Sequence, residues 1–133
     1  MNIIKLRPII TAEEKNTFVS EIQEAFQISY VSEFGKFEKK VLPTEDIEES
    51  FNAKGAEAYI AEIGGERIGG AVIVIDDKTG YNSLHLLYVK SSAQNAGNGF
   101  KIWKAIEELH PETRIWETHT PYYDKRNIHF YVN

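Results

Sequence analysis

The segment LHLLYVKSSAQNAGNGFKIWKAIEEL, Leu84 to Leu109, contains a short apolar strand, a glycine-bearing turn and an amphipathic helix. At its centre, residues 94–99 read QNAGNG. Such a turn directs successive backbone N–H groups towards one point, and the following helix adds the positive end of its dipole. The segment therefore predicts an anion site suited to a phosphate or pyrophosphate. The alternative is that the two glycines only turn the chain from strand to helix.

The composition indicates one ordinary globular domain, which we expect to span residues 1–133. Of the 133 residues, 42% are hydrophobic and 26% are charged, and there is no cysteine. Disulfides, cysteine nucleophiles and cysteine-based zinc sites are therefore excluded. The net charge of −5 argues against nucleic-acid binding, and the apolar runs are too short to span a membrane. With no sign of an export signal, we expect a cytoplasmic protein.

The first half of the chain predicts a strand and two helices. Residues 2–10 resemble a strand, and Thr11 suits the N-cap of a helix. The buried face of that helix shows a four-residue repeat, at Phe18, Ile22 and Phe26. A second helix is expected from Pro43 to about residue 52, with an acidic, solvated outer face.

From residue 56 the hydrophobic period changes to two, which indicates strands. Two strands, 56–63 and 66–76, flank the hairpin turn Gly64-Gly65, and a third covers 81–90. A helix with Phe100, Trp103 and Ile106 on one face, and Ile102, Ala105 and Leu109 beside them, should end at Pro111. A strand at 113–120 and a last helix from about residue 124 follow. The early hairpins and later crossovers together predict an α/β fold with a mixed sheet.

Two common phosphate-binding motifs do not match the glycine turn. A dinucleotide fingerprint needs a third glycine where Ile102 stands. A P-loop needs Gly-Lys-Ser/Thr, but Gly99 is followed by Phe100 and Lys101. The spacing that does match is Gln/Arg-x-x-Gly-x-Gly/Ala at residues 94–99.

With the strand before it and the helix after it, this spacing resembles the acetyl-CoA-binding motif of the GNAT family of N-acetyltransferases. Residues 62–70 are similar to the central hairpin of that family, and Phe130-Tyr131 to its last helix. The resemblance implies a GNAT-like acyl-CoA N-acyltransferase fold. The family normally adds two further strands, whereas this chain ends at Asn133. Because an uncovered strand edge favours pairing with another chain, we expect a homodimer.

The resemblance also implies which residues bind the cosubstrate acetyl-CoA. Backbone groups of Leu87 and Val89 would pair with the pantetheine arm, and the N–H groups of residues 95–99 would hold the pyrophosphate. The full set implied by the family is Leu87, Tyr88, Val89, Gln94, Asn95, Ala96, Gly97, Asn98, Gly99, Phe100 and Asn127. The family's helix asparagine usually lies where Asp124 stands, and Asp124 also suits an N-cap.

Acyl transfer to an amine needs a base for the amine proton and an acid for the departing thiolate. In this family a tyrosine of the last helix commonly serves as the acid, which implies Tyr131; the alternative is a core aromatic. His85 is the candidate base, or else a histidine on the sheet surface. Weaker candidates are Glu62 and Glu117. His119 is expected near the amine's entry.

We therefore expect an enzyme that transfers an acetyl group from acetyl-CoA to a small-molecule or peptide amine. A non-catalytic CoA-binding or regulatory module is the alternative, and an anion-binding structural domain is a third. No metal is expected, because the four histidines lack ligand spacing. They are His85, His110, His119 and His129.

Overall fold

The computed structural model describes residues 3–34, 43–93 and 97–118, with backbone alone for 29–34 and 91. In chain order its elements are β1 (Ile4–Pro8), α1 (Ala12–Phe34), α2 (Thr44–Asn52), β2 (Ala56–Ile63), β3 (Glu66–Val74), β4 (Tyr81–Val89), α3 (Asn98–Leu109) and β5 (Ile115–Thr118). A short 3-10 helix, Ser91–Ala93, lies between β4 and α3.

The strands form one sheet in the order β1-β2-β3-β4-β5. The first three pairings are antiparallel, and β4 pairs with β5 in parallel. Parallel neighbours need a crossover connection, which α3 provides. The predicted mixed α/β fold is therefore confirmed. None of the helices in the three described ranges has both the length and the apolar character that crossing a membrane requires.

Each face of the sheet carries its own hydrophobic core. On one face, α1 and α2 pack against β3 and β4 through a cluster of Phe18, Ile22, Ala25, Phe26, Ile47, Val72, Leu86 and Tyr88. On the other, α3 packs through Ile102 and Ile106 onto residues that include Ala71, Ile73, Leu84, Leu87 and Val89. The central run 71–73 is buried from both sides, as its continuous apolar character predicts.

Two glycines in β3 allow the helices on both faces to approach closely. A Cβ on Gly70 would lie 2.8 Å from Cε2 of Phe18 in α1. A Cβ on Gly69 would lie 3.1 Å from Cδ1 of Ile102 in α3 and would collide with the backbone of Tyr88. The small residues therefore set how closely α1 and α3 pack against the sheet.

Local signals placed most helix and strand ends correctly. Thr11 caps α1, since its Oγ1 accepts a hydrogen bond from the Glu14 amide at 3.1 Å. Gly64 and Gly65 have φ of 58° and 83°, as their turn requires. The strand expected to reach Asp76 ends at Val74.

The side of α3 that packs against the sheet differs from the apolar face grouped from the sequence. Phe100 is 48% exposed, whereas Asn98, Ile102 and Ile106 are buried. These three residues are four apart and share one side of the helix, so Phe100 projects to another side. Trp103 is half-buried and packs edge-on against Trp116 of β5, with ring centroids 5.3 Å apart. The predicted last helix lies outside the described residues.

Candidate functional site

The candidate site combines the second half of β4 with the start of α3. The described residues of β5 pair only with the first four residues of β4, from Tyr81↔Ile115 to Leu84↔Thr118. From His85 onwards, β4 continues beyond that pairing towards the glycine turn. The sequence-predicted residues Leu87, Tyr88 and Val89 all lie in this second half.

A β-bulge interrupts β4 where this second half begins. Val72 pairs with Leu86 and the next residue, Ile73, pairs with Leu84, so His85 is the additional residue. Because of the bulge, Leu84 and Leu86 pack on opposite faces of the sheet although they are two residues apart. Half-buried His85 therefore lies at a break in the ladder, a feature that the sequence alone does not indicate.

The first turn of α3 presents backbone donors beyond the end of β4. Its first helical hydrogen bond runs from the Lys101 amide to the Gly97 carbonyl, at 3.2 Å. The amides of Asn98, Gly99 and Phe100 precede that bond, so α3 itself offers them no acceptor. Gly97 is the N-cap residue and has no side chain with which to cap the helix.

The environment of Gly97 fits an anionic group. Its φ of 71° is left-handed, and no described atom lies within 4 Å of the position that a Cβ would occupy. Asn98 is 8% exposed, and its Nδ2 donates to the Ala93 carbonyl at 2.8 Å. This bond anchors the start of α3 to the 3-10 helix and leaves the side chain of Asn98 directed inward.

Comparison with known proteins identifies the family of this chain. A sequence model of the acetyltransferase (GNAT) family matches residues 19–133. The chain belongs to the GNAT acetyltransferase family. It is also 47% identical, over 117 residues, to the uncharacterized protein YrkN of Bacillus subtilis (strain 168). That match covers 87% of this chain and 63% of YrkN, so it spans less than two thirds of the relative's length.

Solved GNAT-type structures share the fold. The PaiA N-acetyltransferase of Thermoplasma acidophilum in complex with coenzyme A has a TM-score of 0.66 at 15% identity, covering 97% of this chain and 86% of that chain. A GNAT family acetyltransferase from Elizabethkingia anophelis with acetyl-CoA bound has a TM-score of 0.60 at 16% identity, covering 86% and 62%. The aminoglycoside acetyltransferase meta-AAC0020, from an uncultured soil metagenomic sample, has a TM-score of 0.56 at 16% identity, covering 98% and 86%.

Several residues predicted for the candidate site lie outside the described part of the chain. They are Gln94, Asn95, Ala96, His119, Asp124, Asn127 and Tyr131. Of the weaker base candidates, Glu62 pairs with Arg7 at 3.2 Å between Oε2 and Nε. Glu117 is an exposed residue of β5.

Sequence reasoning missed a polar cluster beside the candidate site. Tyr88 is fully buried, and its hydroxyl donates to Oε1 of Glu21 in α1 at 2.7 Å. Arg67 of β3 holds the same carboxylate in a bidentate pair, with distances of 2.9 and 2.8 Å. The available signal was Glu21 itself, a charged residue on the apolar side of a helix.

A separate pocket of about 350 Å³ lies at the other end of the sheet. It is lined by Ile9, Ile10, Thr11, Ala12, Lys15, Phe51, Ala56 and Ala58. None of these residues was predicted to bind acetyl-CoA, so this pocket is distinct from the candidate site.

Proposed function

We propose that this GNAT-family protein is an acetyl-CoA-dependent N-acetyltransferase that acts on a primary amine in a ternary complex, as a single domain over residues 1–133. The observation that supports this most is the start of α3. There, left-handed Gly97 and the amides of residues 98–100 follow β4 and the 3-10 helix in the chain. Family membership adds the expectation of an acyl-CoA cosubstrate.

In this proposal the backbone alone binds most of the cosubstrate. Leu87 and Val89 would pair with the pantetheine arm along the edge of β4. The amides of residues 95–99 would bind the pyrophosphate, assisted by the positive end of the α3 dipole, whose contribution is about 0.3–1 kcal/mol at an exposed site. The bound cosubstrate supplies an acetyl group activated as a thioester.

The proposed chemistry forms one C–N bond and breaks one C–S bond. The amine nitrogen attacks the thioester carbonyl carbon, and His85 takes the proton that this nitrogen loses. Tyr131 donates its phenolic proton to the departing thiolate. A phenol with an ordinary pKa of about 10 can serve as that acid without a large shift.

The cosubstrate site is tested by a matched pair of glycine variants. Gly97→Ala and Gly64→Ala both introduce a Cβ at a left-handed position, with φ of 71° and 58°. Neither Cβ meets a described atom within 4 Å, so their effects on folding should be similar. Isothermal titration with CoA should show binding lost in Gly97→Ala and kept in Gly64→Ala. Normal binding by both variants would contradict the assigned anion site.

Catalysis is tested by thiol release from acetyl-CoA with a panel of amines. The panel should include amino acids, polyamines, aminoglycosides and peptide N-termini. Tyr131→Phe should reduce kcat and leave CoA affinity near that of the wild type. Equal loss of both would indicate a structural tyrosine. CoA binding without thiol release on any amine would favour a non-catalytic CoA-binding module.

A further inference from the structure

The sheet-facing side of α1 carries one residue that does not suit a hydrophobic core. Positions 18, 21, 22, 25 and 26 follow the spacing of a buried helical stripe. Four of them hold Phe18, Ile22, Ala25 and Phe26, and all four are buried. The remaining position is Glu21, whose side chain is only 15% exposed.

The Glu21 carboxylate accepts three hydrogen bonds from two other elements. Arg67 of β3 donates two of them, and the hydroxyl of Tyr88 in β4 donates the third. The pair is only part-buried, because the Arg67 side chain is 37% exposed. Removing one partner of such a pair is costly, yet replacing the whole pair by apolar residues of similar volume often gives equal or greater stability. Stability alone is therefore a weak reason for a carboxylate here, which favours a role in positioning.

The charge states of this cluster suit a fixed contact. Burial by itself raises the pKa of the Glu21 carboxyl, but hydrogen bonds from Arg67 and Tyr88 outweigh it and hold that pKa below its ordinary value. Burial, together with the bond to Glu21, raises the pKa of the Tyr88 phenol. An ionised carboxylate and a neutral phenol are thus maintained at neutral pH.

The cluster lies where β4 leads into the glycine turn. Tyr88 is the residue between Leu87 and Val89, and its ring also packs edge-on against Phe18 at 5.1 Å. One residue beyond the strand, the Lys90 amide donates to the Ile68 carbonyl at 2.7 Å. Glu21 therefore joins α1 and β3 to the last residues of β4.

We propose that Glu21 is a positioning residue that holds the Leu87–Val89 backbone in place for the pantetheine arm of CoA. This inference rests on the proposed function, because it concerns the same cosubstrate. Glu21 acts through Tyr88 and need not touch CoA. It should consequently affect binding of the pantetheine arm and leave binding of the nucleotide portion unchanged.

The test compares two ligands by isothermal titration. One is CoA, and the other is 3′-phosphoadenosine 5′-diphosphate, which keeps the pyrophosphate and lacks pantetheine. Glu21→Gln should weaken CoA binding by up to about tenfold, because ordering the Leu87–Val89 backbone would then use part of the binding free energy, with the nucleotide unaffected. Glu48→Gln is the matched control, because Glu48 of α2 also pairs with a residue of α1, Lys15, at 2.8 Å.

A second variant separates positioning from stability. Glu21→Leu combined with Arg67→Met and Tyr88→Phe replaces all three polar partners by apolar side chains of similar volume and should melt no lower than the wild type. Its CoA binding should remain weak. Wild-type CoA affinity in this variant or in Glu21→Gln, or equal weakening of both ligands, would overturn the inference and leave the proposed function intact. If the wild-type protein bound no CoA, the proposed function would fail, and the inference with it.

Discussion

Replacing Gly70 by alanine would add a methyl group where α1 and β2 already contact β3. The new Cβ would lie 2.8 Å from Cε2 and 2.9 Å from Cδ2 of Phe18, and 2.8 Å from the carbonyl oxygen of Tyr59. Carbon atoms in ordinary contact are about 3.5–4.0 Å apart. The ring and the strand would therefore both have to move by more than half an ångström.

The surroundings of Phe18 leave it no room for that movement. Phe18 is 1% exposed, and its ring is held edge-on between Phe51 at 5.2 Å and Tyr88 at 5.1 Å. Overpacking a core costs about 1–3 kcal/mol, and the backbone contact places Gly70→Ala in the upper part of that range. For a chain of this size we expect the melting temperature to fall by roughly 10 °C.

Thermal and urea unfolding followed by circular dichroism would measure this cost. A double-mutant cycle with Phe18→Leu should show coupling of about 1 kcal/mol or more, because the smaller side chain relieves the clash with the ring. A Gly70→Ala variant within about 0.5 kcal/mol of the wild type would refute the close approach of α1 to β3.

Two further predictions concern the other face of the sheet. Burial alone lowers the pKa of His110, but hydrogen bonds with Glu57 and Glu112 outweigh it, so the pKa is raised. Because the folded state favours protonated His110, it gains stability from this residue. That contribution should be complete below the unfolded pKa of about 6.5 and lost as the pH rises through the higher folded pKa. Relative to His110→Asn, the wild type should therefore lose stability in urea titrations as the pH rises above the unfolded pKa of about 6.5. Parallel stability curves for the two proteins would contradict the linkage. Asn82 is 2% exposed and joins the Asp76 amide to Thr113 Oγ1, at 2.8 and 2.7 Å. Asn82→Ala should cost about 1–3 kcal/mol, seen as a lower urea midpoint at unchanged slope, and an unchanged midpoint would show that these bonds contribute nothing.

The predictions of individual elements succeeded where the decisive signal was local. The four-residue apolar repeat of α1, the alternation of β2 and the turn at Gly64-Gly65 are local signals. Each of them is carried by residues that are close together in the sequence. The same holds for the strand, turn and helix around residues 94–99, whose spacing alone indicates the family. Such features depend on backbone geometry and side-chain periodicity alone.

Where the predicted end or face of an element differed from the structure, the outcome depends on residues elsewhere in the chain. β3 ends at Val74 rather than Asp76, whose amide bonds to the side chain of Asn82. Phe100 is exposed because the register of α3 on the sheet directs Ile102 and Ile106 inward. Local hydrophobicity could not distinguish these alternatives.

For the candidate site, the sequence by itself determined the order of the elements, the glycine turn after β4 and membership of the expected family. Only the tertiary structure decided that His85 lies at a bulge and that Glu21 contacts Arg67 and Tyr88. Those contacts join residues 46 and 67 positions apart. No periodicity encodes them, since they arise only when the sheet has formed and α1 has packed across it.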